Sequence, residues 1–472
     1  MTSIQEIANR ELLDLVPYEP GKPVDDVARE LGLDPASIIK LASNENPLGP
    51  SPKAVAAMHK EIERCHFYPD GGGFHLRNAV AEKFGLTREN VVLGNGSNEI
   101  IELLFHTFTR PGIHEIVTAR HAFAVYTLMA QLFGVRAIVV DDVDFTPDLP
   151  AMLRAVTPQT RLIFLASPNN PTGTRVTNEA LDAFLRDLPS HVIAVLDEAY
   201  YEFLDNPPDT VGYVKNGARV VLMRTFSKIQ GLAGLRIGYG LAPAEIADLL
   251  QRARQPFNAN SIAQAGAIAG LADVDHQQKT KAITDAGRKR IEAAFAKMEL
   301  KYVPSSANFT LVGVGDGGEV FKRLMKKGII VRSMVSYHLP EYIRVSIGTP
   351  EQNTRFLAEL PVALEGLVSF KPLPPEEPVS PIATDTILVE TPVENVVVAS
   401  ENPPAHPITS PDPKPEPVPE RVPVPDPTPE PDRQPSPEPE PTTPEPGPEP
   451  TMPEPTTGES AAEPAAATTT QP

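Results

Sequence analysis

The sequence predicts an α/β fold with a large domain, a smaller α+β domain and a disordered C-terminal tail. Short apolar runs rich in Val, Ile and Leu alternate with helical patterns between residues 91 and 241. Such runs are typical of parallel strands that are covered by helices on both faces. Shorter strands and helices follow up to residue 367, after which proline and glutamate dominate.

The first 90 residues predict short helices joined by loops. Residues 3–10 indicate a short helix capped by Ser3. Proline and glycine interrupt residues 41–50, which are therefore expected to form a loop. Pro52 is a suitable first helical residue and predicts a helix to about residue 64.

The central segment predicts the large sheet, and the next segment predicts the smaller domain. Strands are predicted at residues 91–93, 115–118, 136–140, 161–165, 192–196, 219–223 and 237–241. Helices between most of them are predicted at 98–107, 124–133, 149–156 and 178–188. In the smaller domain, helices are predicted at 261–271, 276–298, 319–327 and 350–367, and strands at 308–312, 329–332 and 342–347.

Composition sets the expected domain boundaries. Residues 371–472 hold 31 of the 54 prolines and 19 acidic against 4 basic residues, so they carry −15 of the total charge of −19. Proline lacks the backbone donor and like charges repel, so this segment predicts a disordered acidic tail. The expected organisation is an N-terminal arm with part of the small domain (1–45), the large domain (46–255), the small C-terminal domain (256–370) and the tail (371–472).

Bulk properties exclude several classes of protein. A single cysteine, Cys65, rules out a disulfide framework and a cysteine-rich zinc site, and no metal site is predicted. A nearly neutral globule with an acidic tail argues against nucleic-acid binding. No signal-peptide pattern and no apolar run long enough to span a bilayer is present, so we expect a soluble, cytoplasmic protein without membrane contact.

The most informative motif is Thr225-Phe226-Ser227-Lys228, which follows the predicted strand at 219–223. Arg236 lies just beyond it. An amine flanked by hydroxyls and a guanidinium group can form a Schiff base beside a phosphate, because those groups donate hydrogen bonds to the phosphate. A desolvated lysine also loses its proton readily. For the motif alone, a lysine that merely extends to solvent remains the alternative.

Two further strings lie at the ends of predicted strands. Residues 167–173 (Ser-Pro-Asn-Asn-Pro-Thr-Gly) form a polar, rigid turn in which Asn170 can donate to a phenolate oxygen. Asp197 ends the strand at 192–196, and a buried carboxylate there needs a cationic partner such as a pyridinium nitrogen. Tyr200 could reach the neighbouring ring oxygen. A turn-capping role for Asp197 is the alternative.

Two weaker strings precede them. Gly94-Asn-Gly96-Ser97-Asn98 joins a strand to a helix and places the amides of Ser97 and Asn98 at a helix N-terminus, where a phosphate is favoured. Phe123 opens the next helical pattern and could lie flat against an aromatic cofactor. A plain tight turn and ordinary core packing are the respective alternatives.

Taken in order, these strings resemble the class I/II aminotransferases of fold type I, which use pyridoxal 5'-phosphate. Within that family they look most like the histidinol-phosphate aminotransferases, including Asn44-Glu-Asn46-Pro-Leu-Gly-Pro and His66-Phe-Tyr68-Pro-Asp-Gly. The resemblance covers residues 4–367 and none of the tail. Phe123 replaces a tyrosine of many members, and Asn98 replaces an acidic residue.

The resemblance implies a role for each cofactor-site residue. Lys228 would form the Schiff base and carry the proton, and Asp197 would pair with the pyridine nitrogen. Asn170 and Tyr200 would hold the ring hydroxyl, and Phe123 would stack on the ring. The phosphate would be bound by Ser97, Asn98, Thr225, Ser227, Arg236 and Tyr68 of the partner subunit. A homodimer with shared active sites is therefore expected.

The resemblance also implies the substrates. Arg344 would bind the substrate anion, and Arg332 and Tyr18 would bind the phosphate of histidinol phosphate. Asn46 would also bind the substrate. The expected reaction transfers an amino group between histidinol phosphate and 2-oxoglutarate, giving imidazole-acetol phosphate and glutamate. An exposed surface arginine is the alternative for Arg332.

Three other functions compete with this interpretation. A broad aromatic-amino-acid aminotransferase shares nearly all of the motifs, and a phosphoamino-acid decarboxylase is a more distant alternative. A non-enzymatic scaffold that acts through its proline-rich tail is the third. Such a scaffold would be expected to lose Lys228, Asp197 or Arg236, and this chain keeps all three.

Overall fold

A computed structural model describes residues 2–18 and 21–373. These residues belong to one compact unit. The predicted tail lies outside the described residues apart from its first three positions. The domain boundaries predicted at 45/46, 255/256 and 370/371 stay predictions.

The helices agree in position with most of those predicted. Their bounds are α1 Ile4–Ile7, α2 Arg10–Leu13, α3 Val24–Leu31, α4 Pro52–Ile62, α5 Phe74–Phe84, α6 Ser97–Phe108, α7 Val125–Leu132, α8 Leu149–Arg154, α9 Asn178–Asp187, α10 Thr210–Lys215, α11 Ala244–Ala253, α12 Ser261–Ala272, α13 Val274–Lys297, α14 Gly317–Lys326 and α15 Pro350–Leu364. The sequence patterns did not predict α3, α5, α10 or α11. The single helix predicted at 3–10 is interrupted, although Ser3 does form the expected capping box with Glu6.

The strands also follow the predicted order. Their bounds are β1 Ile39–Lys40, β2 Val91–Gly94, β3 Glu115–Ala119, β4 Arg136–Val140, β5 Asp142–Val143, β6 Thr146–Pro147, β7 Thr160–Ala166, β8 Ile193–Asp197, β9 Val220–Thr225, β10 Gly238–Leu241, β11 Tyr302–Val303, β12 Phe309–Gly313, β13 Ile329–Ile330, β14 Arg332–Ser333 and β15 Tyr342–Ser346.

Seven strands form the large sheet in the order β2-β10-β9-β8-β7-β3-β4. Strand β10 is antiparallel to both of its neighbours, and the pairs among β9, β8, β7, β3 and β4 are parallel. The prediction of a mainly parallel sheet is confirmed. Apolar side chains from the two faces of the sheet join separate core clusters beneath the helices. The carboxyl ends of the parallel strands therefore lie at one edge, where α/β folds place their ligands.

The second sheet has the order β11-β12-β15-β14 and is antiparallel. The single strand predicted at 329–332 is wrong in detail, because it divides between two partners. Ile329–Ile330 pairs in parallel with Ile39–Lys40, and Arg332–Ser333 pairs with β15. The N-terminal segment thereby forms a separate two-stranded sheet with the residues that closely precede strand β14.

The described residues include neither a membrane-spanning helix nor a metal-binding cluster. None of the described helices is both long and apolar enough to cross a membrane. Within the same residues, no cluster of three or more His, Cys, Asp or Glu side chains could hold a metal ion.

Candidate active site

One cavity of about 410 Å³ lies at the carboxyl ends of the parallel strands. Thirteen of the fifteen predicted site residues line it: Tyr18, Ser97, Asn98, Phe123, Asn170, Asp197, Tyr200, Thr225, Ser227, Lys228, Arg236, Arg332 and Arg344. They come from both sheets and from the N-terminal segment. The fold thus brings together motifs that are more than 300 positions apart in the chain.

Lys228 follows strand β9 and reaches into this cavity. Its Nζ donates a hydrogen bond to the carbonyl oxygen of Ser43 at 3.2 Å. Burial lowers the pKa of Lys228 to about 8, and the positive charge of Arg344 acts in the same direction. A sizeable fraction of this amine is therefore neutral near physiological pH, as a nucleophile requires.

Asp197 is the last residue of strand β8 and is buried at the base of the cavity. Its Oδ2 accepts a hydrogen bond from the Tyr126 hydroxyl at 2.6 Å, and its Oδ1 accepts one from the amide of Ala199 at 3.1 Å. Burial raises the pKa of Asp197 above its usual range. No basic side chain of the described residues forms a salt bridge with it, so this carboxylate is suited to a cationic ligand atom.

Tyr200 and Asn170 each accept a hydrogen bond from a neighbouring side chain. The side-chain amide of Asn44 donates to the Tyr200 hydroxyl at 2.9 Å, and burial raises the pKa of Tyr200 to about 12. Arg344 donates one hydrogen bond to Asn170 Oδ1 and another to the carbonyl oxygen of Ala42 at 2.7 Å. With its Oδ1 accepting, the NH₂ group of Asn170 is the part left to donate to a ligand.

The same-chain residues predicted to bind the phosphate line the cavity near the start of helix α6. Ser97 is the first residue of this helix, so its amide and that of Asn98 have no partner within the helix. The Thr225 hydroxyl donates to the Ser227 hydroxyl at 2.9 Å. Arg236 has a φ of +54°, and its guanidinium group packs so closely on Gly96 that a Cβ there would come within 2.6 Å of it. Gly96 itself has a φ of +74°, a backbone conformation that glycine adopts without strain.

These features fit pyridoxal 5'-phosphate. Helix-terminal amides, two hydroxyls and a guanidinium group match the donors that a phosphate needs. A buried carboxylate without a salt bridge matches a pyridinium nitrogen, and a partly neutral lysine matches an aldehyde. Each requirement is met by side chains that the sequence had singled out.

The opposite wall of the cavity carries two arginines. Arg332 and Arg344 are directly opposite each other on the antiparallel strands β14 and β15. Both are at least nine-tenths buried, and the Nε of Arg344 has no hydrogen-bond partner in the described residues. The guanidinium of Arg332 lies 5.7 Å from the ring centre of Tyr18, which contacts Phe123 edge-on at 6.4 Å. Two like charges side by side favour an anion between them.

Two predicted residues do not line the cavity. The side-chain amide of Asn46 donates to the carbonyl of Ile229 at 2.9 Å and to Thr280 Oγ1 at 3.2 Å, so its donors are occupied within the fold. The expectation that Asn46 binds substrate is therefore corrected: it anchors a loop. Tyr68 is 83% exposed and stacks on Phe257, away from the cavity of its own chain.

Sequence reasoning missed two residues that the geometry brings in. Tyr126 and Asn44 contact Asp197 and Tyr200 across 71 and 156 positions of the chain. Asn44 also has a positive φ of 55°, which is uncommon for a residue other than glycine. Asn44 lies in the string Asn44-Glu-Asn46-Pro-Leu-Gly-Pro and Tyr126 lies in the helix predicted at 124–133, but nothing local to either segment indicates these partners.

The model of the aminotransferase class I and II family matches residues 36–360. A histidinol-phosphate aminotransferase of Akkermansia muciniphila is 48% identical over 359 residues, which are 76% of this chain and 99% of that protein. Histidinol-phosphate aminotransferase 2 of Pseudomonas fluorescens is 47% identical over 357 residues, or 75% of this chain and 96% of that protein.

Solved structures agree with these sequence matches. The histidinol-phosphate aminotransferase of Sinorhizobium meliloti, in complex with pyridoxal-5'-phosphate, is 28% identical, with a TM-score of 0.69. The match covers 76% of this chain and 97% of that one. An aspartate aminotransferase of Thermus thermophilus, 24% identical with a TM-score of 0.66, shares the fold. The chain therefore belongs to the class I and II aminotransferases.

Proposed function

We propose that this chain transfers an amino group between histidinol phosphate and 2-oxoglutarate with pyridoxal 5'-phosphate, a step of histidine biosynthesis. The observation that carries the proposal is the pairing of Arg332 with Arg344 on the wall opposite Lys228. Histidinol phosphate carries a phosphate dianion and no carboxylate, whereas glutamate carries two carboxylates. Two adjacent guanidinium groups can bind either set of anions.

The bound cofactor supplies an aldehyde that takes up the amino group and a protonated ring that accepts an electron pair. The remaining tasks fall to this chain. Lys228 moves the proton at the reacting carbon, because its amine is buried and its pKa is about 8. Asp197 would hold the ring nitrogen in its protonated form, and the hydrogen bond from Tyr126 fixes the carboxylate for that role. Arg344 orients Asn170 as well as the substrate.

We also propose a homodimer in which Tyr68 completes the phosphate site of the partner subunit. Phe67, Tyr68, Phe74 and Phe257 are each between 46% and 83% exposed. Tyr68 and Phe257 stack at 4.8 Å between ring centres on this apolar surface. An exposed aromatic group of this kind favours an interface. A cytoplasmic location stays a prediction from the sequence.

Steady-state rates with histidinol phosphate and phenylalanine, measured side by side, test the main proposal. We expect kcat/KM to be clearly higher for histidinol phosphate. If phenylalanine is the better substrate, the broad aromatic aminotransferase takes its place.

The variant Arg332→Ala tests whether Arg332 causes the preference for histidinol phosphate over phenylalanine. Losing one charge-assisted contact costs on the order of 1.5–3 kcal/mol, or roughly ten- to a hundredfold in kcat/KM. We expect that loss with histidinol phosphate and a clearly smaller one with phenylalanine. An equal loss with both substrates would make Arg332 a general anion-binding residue.

A further inference from the structure

The proposed function leaves one charged side chain of the cavity without a role. The basic lining residues are Lys228, Arg236, Arg332 and Arg344, and the acidic ones in the described part of the chain are Asp197 and Glu45. Arg236 and Asp197 face the cofactor, and Arg332 and Arg344 face the substrate anions. Glu45 is the lining carboxylate that has no role yet.

Glu45 is held in place by its neighbours in sequence. The amide nitrogen of Asn44 donates to Ser346 Oγ at 2.8 Å, and its carbonyl accepts from Asn308 Nδ2 at 3.0 Å. On the other side, Asn46 is bonded to the loop after Lys228 and to helix α13. The backbone on both sides of Glu45 is therefore anchored to different parts of the fold, which fixes where its carboxylate can reach.

One oxygen of this carboxylate already has a partner. Lys40 Nζ lies 2.8 Å from Glu45 Oε1, and no other side chain of the described residues forms a hydrogen bond with this carboxylate. Oε2 is thus free to accept a hydrogen bond within the described structure. The Glu45 side chain is 42% exposed, so a ligand can approach it from the cavity.

We propose that Glu45 accepts a hydrogen bond from the imidazole ring of the amino donor and thereby selects histidinol phosphate. This inference rests on the proposed function and names the recognition of the ring at the same site. Histidinol phosphate carries its phosphate and its imidazole at different positions, so arginines can hold one while a carboxylate holds the other. A neutral imidazole donates one N–H and the protonated ring donates two, so Glu45 can accept in either state.

The benzene ring of phenylalanine has no such donor, and its burial near Glu45 would leave the carboxylate without a new partner. A site that is built to accept a hydrogen bond discriminates against an analogue that lacks the donor. Glutamate has no ring and does not need Glu45. The geometry therefore assigns ring recognition to Glu45 and anion recognition to the arginines.

The test compares the holoenzyme with its Glu45→Ala variant, which removes the acceptor, using histidinol phosphate in one half-reaction and glutamate in the other. Because the carboxylate is partly exposed, we expect a rise in KM for histidinol phosphate of about three- to tenfold. The KM for glutamate should change by less than about twofold. A second readout is the dissociation constant of histidinol phosphate in a Lys228→Ala background, which Glu45→Ala should raise by a similar factor.

Two controls separate ring recognition from structural damage. Lys40→Gln removes the ion pair but keeps the carboxylate, so it should not raise the KM for histidinol phosphate. Glu341→Gln changes an exposed glutamate that does not line the cavity and should have no effect. An equal KM rise for both substrates, or the same rise in Lys40→Gln, would overturn the proposal.

The two proposals fail in different ways. If wild type turns over histidinol phosphate and Glu45→Ala leaves its KM unchanged, Glu45 does not bind the ring and the proposed function stands. If wild type does not accept histidinol phosphate, the proposed function fails and the role of Glu45 fails with it.

Discussion

At the scale of single residues, burial sets the chemistry of this site. The same desolvation lowers the pKa of Lys228 and raises the pKa of Asp197, because it disfavours the charged form of each. Tyr126 and Ala199 partly offset the effect on Asp197 by donating hydrogen bonds to its carboxylate. A bound pyridinium would add the charge that keeps this carboxylate ionised.

The first prediction follows from the pKa of Lys228. The cofactor-free protein should capture pyridoxal 5'-phosphate faster as pH rises, with a midpoint near 8 instead of the 10.5 of an ordinary lysine. The capture rate should rise with pH because only the neutral amine attacks an aldehyde. A lowered pKa means that the neutral amine is already present at lower pH. The imine absorbance, followed in a stopped-flow instrument across pH, measures the midpoint.

Arg344 is the second cause of the lowered pKa, so Arg344→Met should move the midpoint upward. Borohydride should trap the imine on Lys228, and Lys228→Ala is the control without capture. A midpoint above 10, or trapping on another lysine, would contradict the assigned role.

The sequence identified most of the site residues because each lies where a buried strand or a helix ends. Thr225, Asp197 and Ser97 are such positions, and local patterns reveal them. Tyr126 and Asn44 escaped prediction because their roles come from partners that are distant in sequence. Asn46 was misassigned for the same reason, since its amide is used by Ile229 and Thr280.

At the scale of elements, strand β10 positions the phosphate site. It is antiparallel between β2 and β9 and runs directly beneath the first turn of helix α6. The strands were predicted from their apolar runs. The direction of β10 was not predicted, because a parallel strand and an antiparallel strand can have the same hydrophobic pattern. The division of the strand predicted at 329–332 was equally hidden, because Ile329–Ile330 and Arg332–Ser333 are continuous in sequence and differ only in their partners.

The second prediction tests this contact between strand and helix. A Cβ at Gly238 would lie 2.6 Å from the amide nitrogen of Ser97 and 2.8 Å from the carbonyl carbon of Gly96. Both are backbone atoms, so Gly238→Ala must push helix α6 away from the strand. We expect the dissociation constant of pyridoxal 5'-phosphate to rise by at least about tenfold, because the helix-terminal amides leave the phosphate.

Gly240→Ala, in the same strand, is the matched control. A Cβ there would first meet the side chain of Ile100 at 3.3 Å, which can shift. Its effect on cofactor affinity should stay below about threefold. Equal losses in the two variants would mean that the strand, and not its contact with Ser97, determines affinity.

At the scale of the whole molecule, residues on both sides of the boundary predicted at 370/371 contact the core of the smaller domain. The amide of Lys371 donates to the carbonyl of Met298 at 3.0 Å, and Val368, Phe370 and Leu373 pack on the core of the second sheet. Composition could not show this, because a few apolar residues beside a proline-rich segment look like part of it. The backbone hydrogen bond of Lys371 and the three apolar contacts all depend on the folded core.

The third prediction concerns the segment beyond residue 373. Its proline and acidic composition predicts little burial, so truncation after Leu373 should leave turnover and melting temperature nearly unchanged. Truncation after Leu367 removes Val368, Phe370 and Leu373 from the core and should lower the melting temperature by about 2–6 °C. Calorimetry of the two truncated proteins makes the comparison. A large loss after the truncation at Leu373 would mean that the tail stabilises the globule.

The last prediction tests the proposed shared active sites. Tyr68→Ala and Lys228→Ala should each be inactive at a cofactor concentration that saturates only intact sites. In a mixed dimer, one site carries both lesions, because it contains Lys228→Ala and receives Tyr68→Ala from the partner subunit. The other site is intact. Unfolding and refolding an equal mixture should therefore restore about a quarter of wild-type activity, since half of the dimers are mixed.

If each site is built from one chain alone, every site in the mixture carries one lesion and no activity returns. Refolding each variant separately is the control and should give no recovery in either case. A monomer in analytical ultracentrifugation would also contradict the proposal. The exposed stack of Tyr68 on Phe257 would then need another partner to cover it.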